Sequence, residues 1–202
     1  MKNLNQSRLT PEYIQSVLPK VGNGQNLSHW SHTLPSDKLR QAAVLIPLLQ
    51  NYSSQPRLLL TERAAHLKNH AGEISFPGGA YESDDVELLT TAMRETYEET
   101  GISPEFIQPL GVLGDLDTVS GFRLRAYIGW VRTGYELKAQ TSEVASLINT
   151  DASYALTTSH YHWQTRITKA GKFELPEIQL ETHRVWGVTG ILLWELSQKL
   201  CN

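Results

Sequence analysis

The stretch that most limits how this chain can fold is Gly78 to Ile102, GGAYESDDVELLTTAMRETYEETGI. Its second half reads as a helix with both ends marked. Asp84 is placed to cap the N-terminus, with Glu87 three residues on as in a capping box. Gly101 stands where a helix commonly stops, and Pro104 bars continuation. Between them Val86, Leu89, Met93 and Tyr97 recur at helical spacing and predict one apolar stripe. Glu95, Glu98 and Glu99, at i, i+3 and i+4, share a face. A turn of about 100° per residue sets that face nearly opposite the stripe. Three carboxylates on one face repel one another unless a cation sits among them.

A bare E-x-x-E-E on a helix is ordinarily a solvated acidic face. Here Phe76-Pro77-Gly78-Gly79, a tight and backbone-exposing turn by its composition, comes shortly before it. Oxygen-only ligands from one helix suit Mg²⁺ or Mn²⁺, hard ions that keep waters and accept substrate phosphates. A glycine turn feeding a carboxylate helix therefore points to metal-assisted phosphate chemistry. The segment before the turn is basic, with Arg63, His66, Lys68 and His70. As a set these read as phosphate or nucleotide contacts; singly, each reads as part of a solvated loop. His66 and His70 would be one turn apart on a helix, but no further ligands for a zinc site lie nearby.

The rest of the chain supplies the frame. Its 202 residues suit one domain, divided here into a 1–36 extension with a short helix and a main domain over 37–202. A net charge of −3 without a basic tract argues against nucleic acid as a partner. The single cysteine, Cys201, excludes a disulfide framework. With no signal peptide and no apolar run of membrane-spanning length, a cytoplasmic protein without a membrane partner is expected.

Thr10 and Pro11 predict a short helix to Val17, followed by a polar connector over Gly22 to Ser36. Ala42 to Leu49 is a β-branched, apolar run that reads as a buried strand, and Leu58 to Glu62 as its hairpin partner. Phe106 to Val112 reads as a strand and Gly111 to Gly121 as an acidic loop carrying Asp115 and Asp117. From Phe122 to Arg132, Phe122, Leu124, Ala126, Ile128 and Trp130 alternate with Arg123, Arg125 and Tyr127. The two arginines face either substrate or solvent. Ser142-Glu143-Val144 opens a strand to Ile148, and Tyr161 to Thr168 with Lys172 to Ile178 form a hairpin about Ala170-Gly171. Val188 to Leu200 places Ile191, Leu192, Leu196 and Leu200 at core-facing helical spacing. Without regular βαβ alternation the pattern predicts an α+β fold, a mixed sheet with helices on its faces.

Arg94-Glu95-Thr96-Tyr97-Glu98-Glu99-Thr100-Gly101-Ile102 resembles the second half of the Nudix box, G-x5-E-x7-R-E-U-x-E-E-x-G-U, with Thr96 where U is apolar. The first half departs further. Counting back from Arg94 sets Ala80 and Val86 at the Gly and Glu positions. Counting forward from Gly79 sets Asp85 at the Glu position with one extra residue before Arg94. That spacing resembles the coenzyme A pyrophosphatase branch, whose upstream pattern is close to L-L-T-x-R-(S/A)-x3-(K/R)-x-H-x-G-x3-F-P-G-G. Leu59-Leu60-Thr61-Glu62-Arg63-Ala64 runs on here through Lys68, His70, Gly72 and Phe76 to Gly79. Together the two motifs cover about a fifth of the chain. His183-Arg184-Val185-Trp186-Gly187 resembles the lead into that branch's terminal helix.

The resemblance implies the Nudix fold, a mixed β-sheet sandwiched between α-helices, with the box helix packed by its apolar stripe and its acidic face in a cleft under Phe76 to Gly79. It implies Glu95, Glu98 and Glu99 as ligands of Mg²⁺ or Mn²⁺, with Glu98 serving either a further ion or as general base. Arg94 would orient the glutamates, with Asp85 or Glu87 as its partner, and Glu143 is a secondary catalytic acid. Arg63, Lys68, His70, Gly78 and Gly79 would contact substrate. That substrate would be coenzyme A, cut to 3′,5′-ADP and 4′-phosphopantetheine, and a homodimer is compatible with the family. Two alternatives stay open: a Nudix hydrolase of ADP-ribose, dinucleoside polyphosphates or nucleoside triphosphates, and a non-catalytic nucleotide-binding Nudix domain.

Overall fold

Strand β1 (Arg40–Leu49) is buried on both faces from Ala42 onward, which is why its sequence is a continuous apolar run. Its pleat sends Ala42, Val44, Ile46 and Leu48 into one core and Ala43, Leu45 and Leu49 into another. The computed structural model describes residues 4–20, 26–27, 29–30, 38–52, 55–67, 70–168 and 171–201. In chain order the remaining elements are α1 (Pro11–Val17), β2 (Arg57–Arg63), β3 (Ile74–Ser75), β4 (Gly78–Ala80), α2 (Leu88–Thr100), β5 (Ile107–Asp117), β6 (Phe122–Val131), β7 (Val144–Asp151), α3 (Ala152–Ala155), β8 (Tyr161–Thr168), β9 (Gly171–Leu180), β10 (His183–Val185) and α4 (Gly187–Cys201).

β6 pairs parallel with β1 from Arg40↔Phe122 to Leu49↔Val131, and β5 runs antiparallel to β6. On its other side β1 meets β2 only at Leu48↔Leu58 and Leu49↔Arg57. Beyond that point the two strands part. β2 takes β3 on this side and β7 on the other, while β1 takes β4 from Ala42↔Ala80 to Val44↔Gly78. Residues 74–80 thus cross as an extended wedge from one strand to the other, with Leu45 N–H donating to the Pro77 carbonyl at 3.0 Å. The turn expected at Phe76 to Gly79 is this wedge. Its glycines serve close backbone approach rather than reversal of the chain.

The sheet is sandwiched as expected. α2 lies on one face with Ala92, Leu88, Leu89 and Met93 against the Ala43–Leu45 side. α1 and α4 lie on the other, through Ile14, Leu192, Leu196 and Leu200. A separate antiparallel sheet, β10-β9-β8, contains the anticipated hairpin with Thr168↔Gly171 in register; its turn at 169–170 lies outside the described residues. Thr10 caps α1, its Oγ1 accepting from Tyr13 N–H at 3.3 Å. Of the 22–36 connector, Leu27 is buried and its N–H donates to the Asp115 carbonyl at 2.9 Å. No helix among the described residues is long and apolar enough to cross a membrane.

Three local expectations are corrected. α2 starts at Leu88, with Glu87 rather than Asp84 at the cap position and no side-chain cap bond. Only the middle of the expected apolar stripe packs on the core: Leu89 and Met93 do, whereas Val86, before the helix, is 90% exposed and Tyr97 is also exposed. Of the acidic loop expected over Gly111 to Gly121, residues 111–117 are instead the continuation of β5. Asp115 and Asp117 stand opposite Arg125 and Arg123 across the ladder, and each pair is bidentate at 2.7–2.9 Å. Cross-strand charge pairing stabilises a strand that Gly and Asp composition disfavours. It also answers where the two arginines point: they are occupied by carboxylates of the neighbouring strand.

Candidate active site

α2 packs through small side chains. Thr91, Ala92, Thr96 and Thr100 are buried. The hydroxyls of Thr96 and Thr100 donate to the carbonyls of Ala92 and Thr96, each at 2.6 Å. A helix with so little bulk on its contact face lies close to the sheet, and the positions at its edge, Glu95 and Glu99, are drawn in with it. Glu99 is 4% exposed, whereas Glu98, one step round, has a side chain 52% exposed. The acidic group is therefore split. Two glutamates enter the helix–sheet seam and one remains at its lip.

The glycines of β4 make room for this. A Cβ on Gly79 would lie 2.2 Å from Glu95 Oε1, and one on Gly78 would lie 2.4 Å from the Ala43 carbonyl oxygen. Glu99 Oε2 faces the Thr61 hydroxyl at 3.5 Å. Burial first, then repulsion from Glu95 and Glu143, pushes the Glu99 carboxyl up to about 8, against the attraction of Arg63. Glu95 is raised as well, chiefly by burial, while Arg94 opposes the rise and Glu98 and Glu143 add to it. Glu143 belongs to the same electrostatic group although it sits at the turn before β7. That turn is tied to the end of β2 by Ala64 N–H donating to the Glu143 carbonyl at 2.8 Å, and His66 Nε2 lies 3.0 Å from the Ser142 carbonyl.

Arg94 is the hub of the outer carboxylates. Its Nε and Nη2 hold Asp85 Oδ1 and Oδ2 at 3.1 and 3.0 Å, while Nη1 reaches Glu95 at 3.0 Å and Glu98 at 3.3 Å. Asp85, itself buried, also accepts from Thr91 Oγ1 at 2.8 Å and Glu82 N–H at 3.0 Å. The Arg94 guanidinium holds the Asp85 carboxyl down at about 2. Of the two acids the sequence offers as partner, the structure selects Asp85, counted forward from Gly79. The extra residue is absorbed in the 83–87 turn before α2.

A cavity of about 560 Å³ adjoins this group, within the usual size of a small-molecule site. Glu95, Glu98 and Glu99 do not line it. Arg63, Gly78 and Gly79 form the wall common to both, and the remaining lining is mostly apolar, from Val44, Phe76, Phe122 and Leu124 to Trp186 and Leu192. Arg63 Nε is buried without a hydrogen-bond partner among the described residues. His70 lines the cavity but lies 2.8 Å from Glu73 Oε2, and Lys68 lies outside the described residues. The cavity wall from Trp186 and the first turn of α4 was not legible, because the spacing over Val188 to Leu200 signals core and Trp186 reads only as the lead into that helix.

Among the described residues no three His, Cys, Asp or Glu side chains are already gathered as a ligand set. The donor chemistry nevertheless fits a hard divalent ion. The donors are carboxylate oxygens only, two of them in the seam with raised proton affinity, and a cation would relieve their repulsion.

The NUDIX domain family model matches residues 39–163. A protein of Enterobacter sp. (strain 638), named Uncharacterized Nudix hydrolase NudL, is 39% identical over 162 residues, 80% of this chain and 83% of that relative. The protein of the same name from Citrobacter koseri is 37% identical over 187 residues, 93% of this chain and 91% of that relative. Among solved structures, a Nudix hydrolase from M. Smegmatis, RenU, overlays with a TM-score of 0.47 at 20% identity, over 56% of this chain and 71% of that one; the overlap is too loose to bear on chemistry.

Proposed function

This chain belongs to the Nudix hydrolase family, and from that membership we propose that it is a metal-dependent diphosphohydrolase acting on coenzyme A or its derivatives. The observation that carries the hydrolytic reading is Glu99. The fold holds this carboxylate in the helix–sheet seam beside Glu95, with its ionisation disfavoured up to about pH 8. An arrangement that disfavours its own charge suits a site completed by a cation. Glu95 and Glu99 would hold Mg²⁺ or Mn²⁺, and when bound there the ion supplies Lewis acidity toward the phosphoryl oxygens.

This chain's own groups do the rest. Glu98, exposed at the lip, accepts the proton of the attacking water or holds a further ion, with Glu143 as the second candidate base. Arg94 positions Glu95 and Glu98 through Nη1 while Asp85 fixes its guanidinium. Arg63, with its unpartnered Nε, takes the substrate diphosphate against the backbone of Gly78 and Gly79; His70 and Lys68 complete that assignment. Coenzyme A is supported by the Leu59-to-Gly79 pattern.

The test is a substrate panel. Purified protein is incubated with coenzyme A, ADP-ribose and diadenosine polyphosphates, each with Mg²⁺ and with Mn²⁺, and products are separated by chromatography. Release of 3′,5′-ADP and 4′-phosphopantetheine is expected. Cleavage of ADP-ribose in place of coenzyme A would overturn the substrate, and no turnover of any would overturn the hydrolase reading.

A further inference from the structure

We propose that Trp186, Arg166 and Arg184 form the subsite for the nucleotide half of the substrate, the indole stacking on the base and the guanidiniums reading a phosphate monoester on the ribose. This rests on the diphosphohydrolase reading and adds to it which residues select the substrate. Trp186 joins β10 to α4, lines the cavity, and remains 37% exposed. Arg166, from β8, has its guanidinium carbon 4.9 Å from the indole centroid, and that of Arg184, from β10, lies at 5.9 Å. Among the described residues both arginines share one acid. Glu177 Oε2 is 3.4 Å from Arg166 Nη2 and 3.8 Å from Arg184 Nη1. One carboxylate between two guanidiniums leaves a positive charge over. The side chains are 35% and 54% exposed, so N–H groups remain for a ligand.

Of the described basic residues upstream of β4, Arg63 is assigned to the diphosphate and sits in the field of Glu99, and His70 lies beside an acid of its own, Glu73. The same cavity touches Arg63 and Gly79 at one wall and Trp186 at another. A ligand with its diphosphate at Arg63 therefore has its base within reach of the indole. Aromatic faces stack on purines, and planar guanidiniums match phosphate oxygens in bidentate fashion.

The full chain, without added metal, is titrated by calorimetry with adenosine 3′,5′-bisphosphate and with AMP. The bisphosphate is expected to bind roughly ten- to a hundredfold more tightly, the range of a charge-assisted contact. Arg184→Ala should remove most of that preference, Arg184→Lys should keep part of it, and Trp186→Ala should weaken both ligands alike. In turnover, Arg184→Ala should raise KM for coenzyme A far more than for 3′-dephospho-coenzyme A, whereas Arg63→Ala should lower kcat for both. Melting curves confirm that each variant is folded, and Arg184→Gln replaces any that is not. Equal affinity of the wild type for both ligands, or an undiminished preference in Arg184→Ala, would overturn the subsite. A preference for the bisphosphate in a protein that leaves coenzyme A intact supports the subsite and removes only the substrate assignment.

Discussion

At Glu99 the fold keeps a carboxylate where its charge is unfavourable, and that has a measurable signature. Its ordinary value is 4.5 and in the native state it rises to about 8. Between those values the native protein binds the extra proton, so stability is greatest below 4.5 and falls as pH rises through 8. The metal-free melting temperature should therefore decline from about pH 5 to about pH 8, and millimolar Mg²⁺ or Mn²⁺ should restore it at the upper end. Glu99→Gln should flatten the pH dependence, abolish the metal effect and cost turnover several kcal/mol of transition-state stabilisation. Metal-free melting curves that coincide at the two pH values would contradict this.

Gly79 gives a second residue-level test. Its added Cβ would meet Glu95 Oε1 and Cδ at 2.2 and 2.5 Å, atoms at the end of a flexible side chain, while on Gly78 it would meet the backbone of Ala43 and Val44. Gly79→Ala should thus lower kcat with little change in Tm, and Gly78→Ala should lower Tm. Rates and melts of the two variants decide it. Wild-type kcat in Gly79→Ala would remove Glu95 from the mechanism.

At the scale of the element, α2 is fastened at its N-terminal end by a buried acid instead of a side-chain cap. Asp85 holds the 82–85 turn, Thr91 and Arg94 together. Its carboxyl, ordinarily at 3.8, is held near 2 by Arg94, so its contribution is present above 3.8 and is lost as pH falls through 2. Asp85→Asn should cost about 1.5–3 kcal/mol in urea unfolding at neutral pH, the worth of a charged hydrogen bond. The gap between variant and wild type should close as pH falls from about 4 to about 2. Because Arg94 then loses its anchor, kcat should fall as well. A variant as stable as wild type at neutral pH would show that Arg94 is held by its other partners alone.

For the whole molecule, the open question is whether the residues before β1 form a separate extension. Leu4, Leu9, Ile14, Leu18 and Leu27 are buried in the same cluster as Leu196 and Leu200 of α4. Arg8 Nη1 donates to the Leu200 carbonyl at 2.7 Å, and Trp30 Nε1 donates to Glu195 at 2.7 Å. Ile14→Ala should therefore cost about 2–5 kcal/mol, as deletion of a fully buried side chain does, within one unfolding transition. A separate early transition, with the sheet core melting as in wild type, would mark the segment as its own unit.

Local signals were enough for many of the elements, though not for β3, β4, α3 or β10. The stop at Gly101, with its left-handed φ of 79°, follows from Gly and Pro stereochemistry, and so does the α1 cap. Alternation and apolar runs revealed β1, β2 and β6, and the spacing of Arg94, Glu95, Glu98 and Glu99 revealed the carboxylate group. All of these depend on neighbours within a few positions along the chain. Tertiary contact decided the rest. Which face of α2 is buried depends on Thr61, Arg63 and Gly79, residues remote from it that stabilise Glu95 and Glu99 in a seam where periodicity would set a solvent face. β5 extends through Asp117 because Arg123 and Arg125 lie opposite its acids, a pairing that register alone creates. Trp186 lines a cavity shared with Val44 of β1 and Phe122 and Leu124 of β6 because β10, packed on β9 and β3, carries the chain there. The sequence encodes each of these side chains, but the cost of burying a charge or exposing an indole is settled only by what the folded chain brings against it.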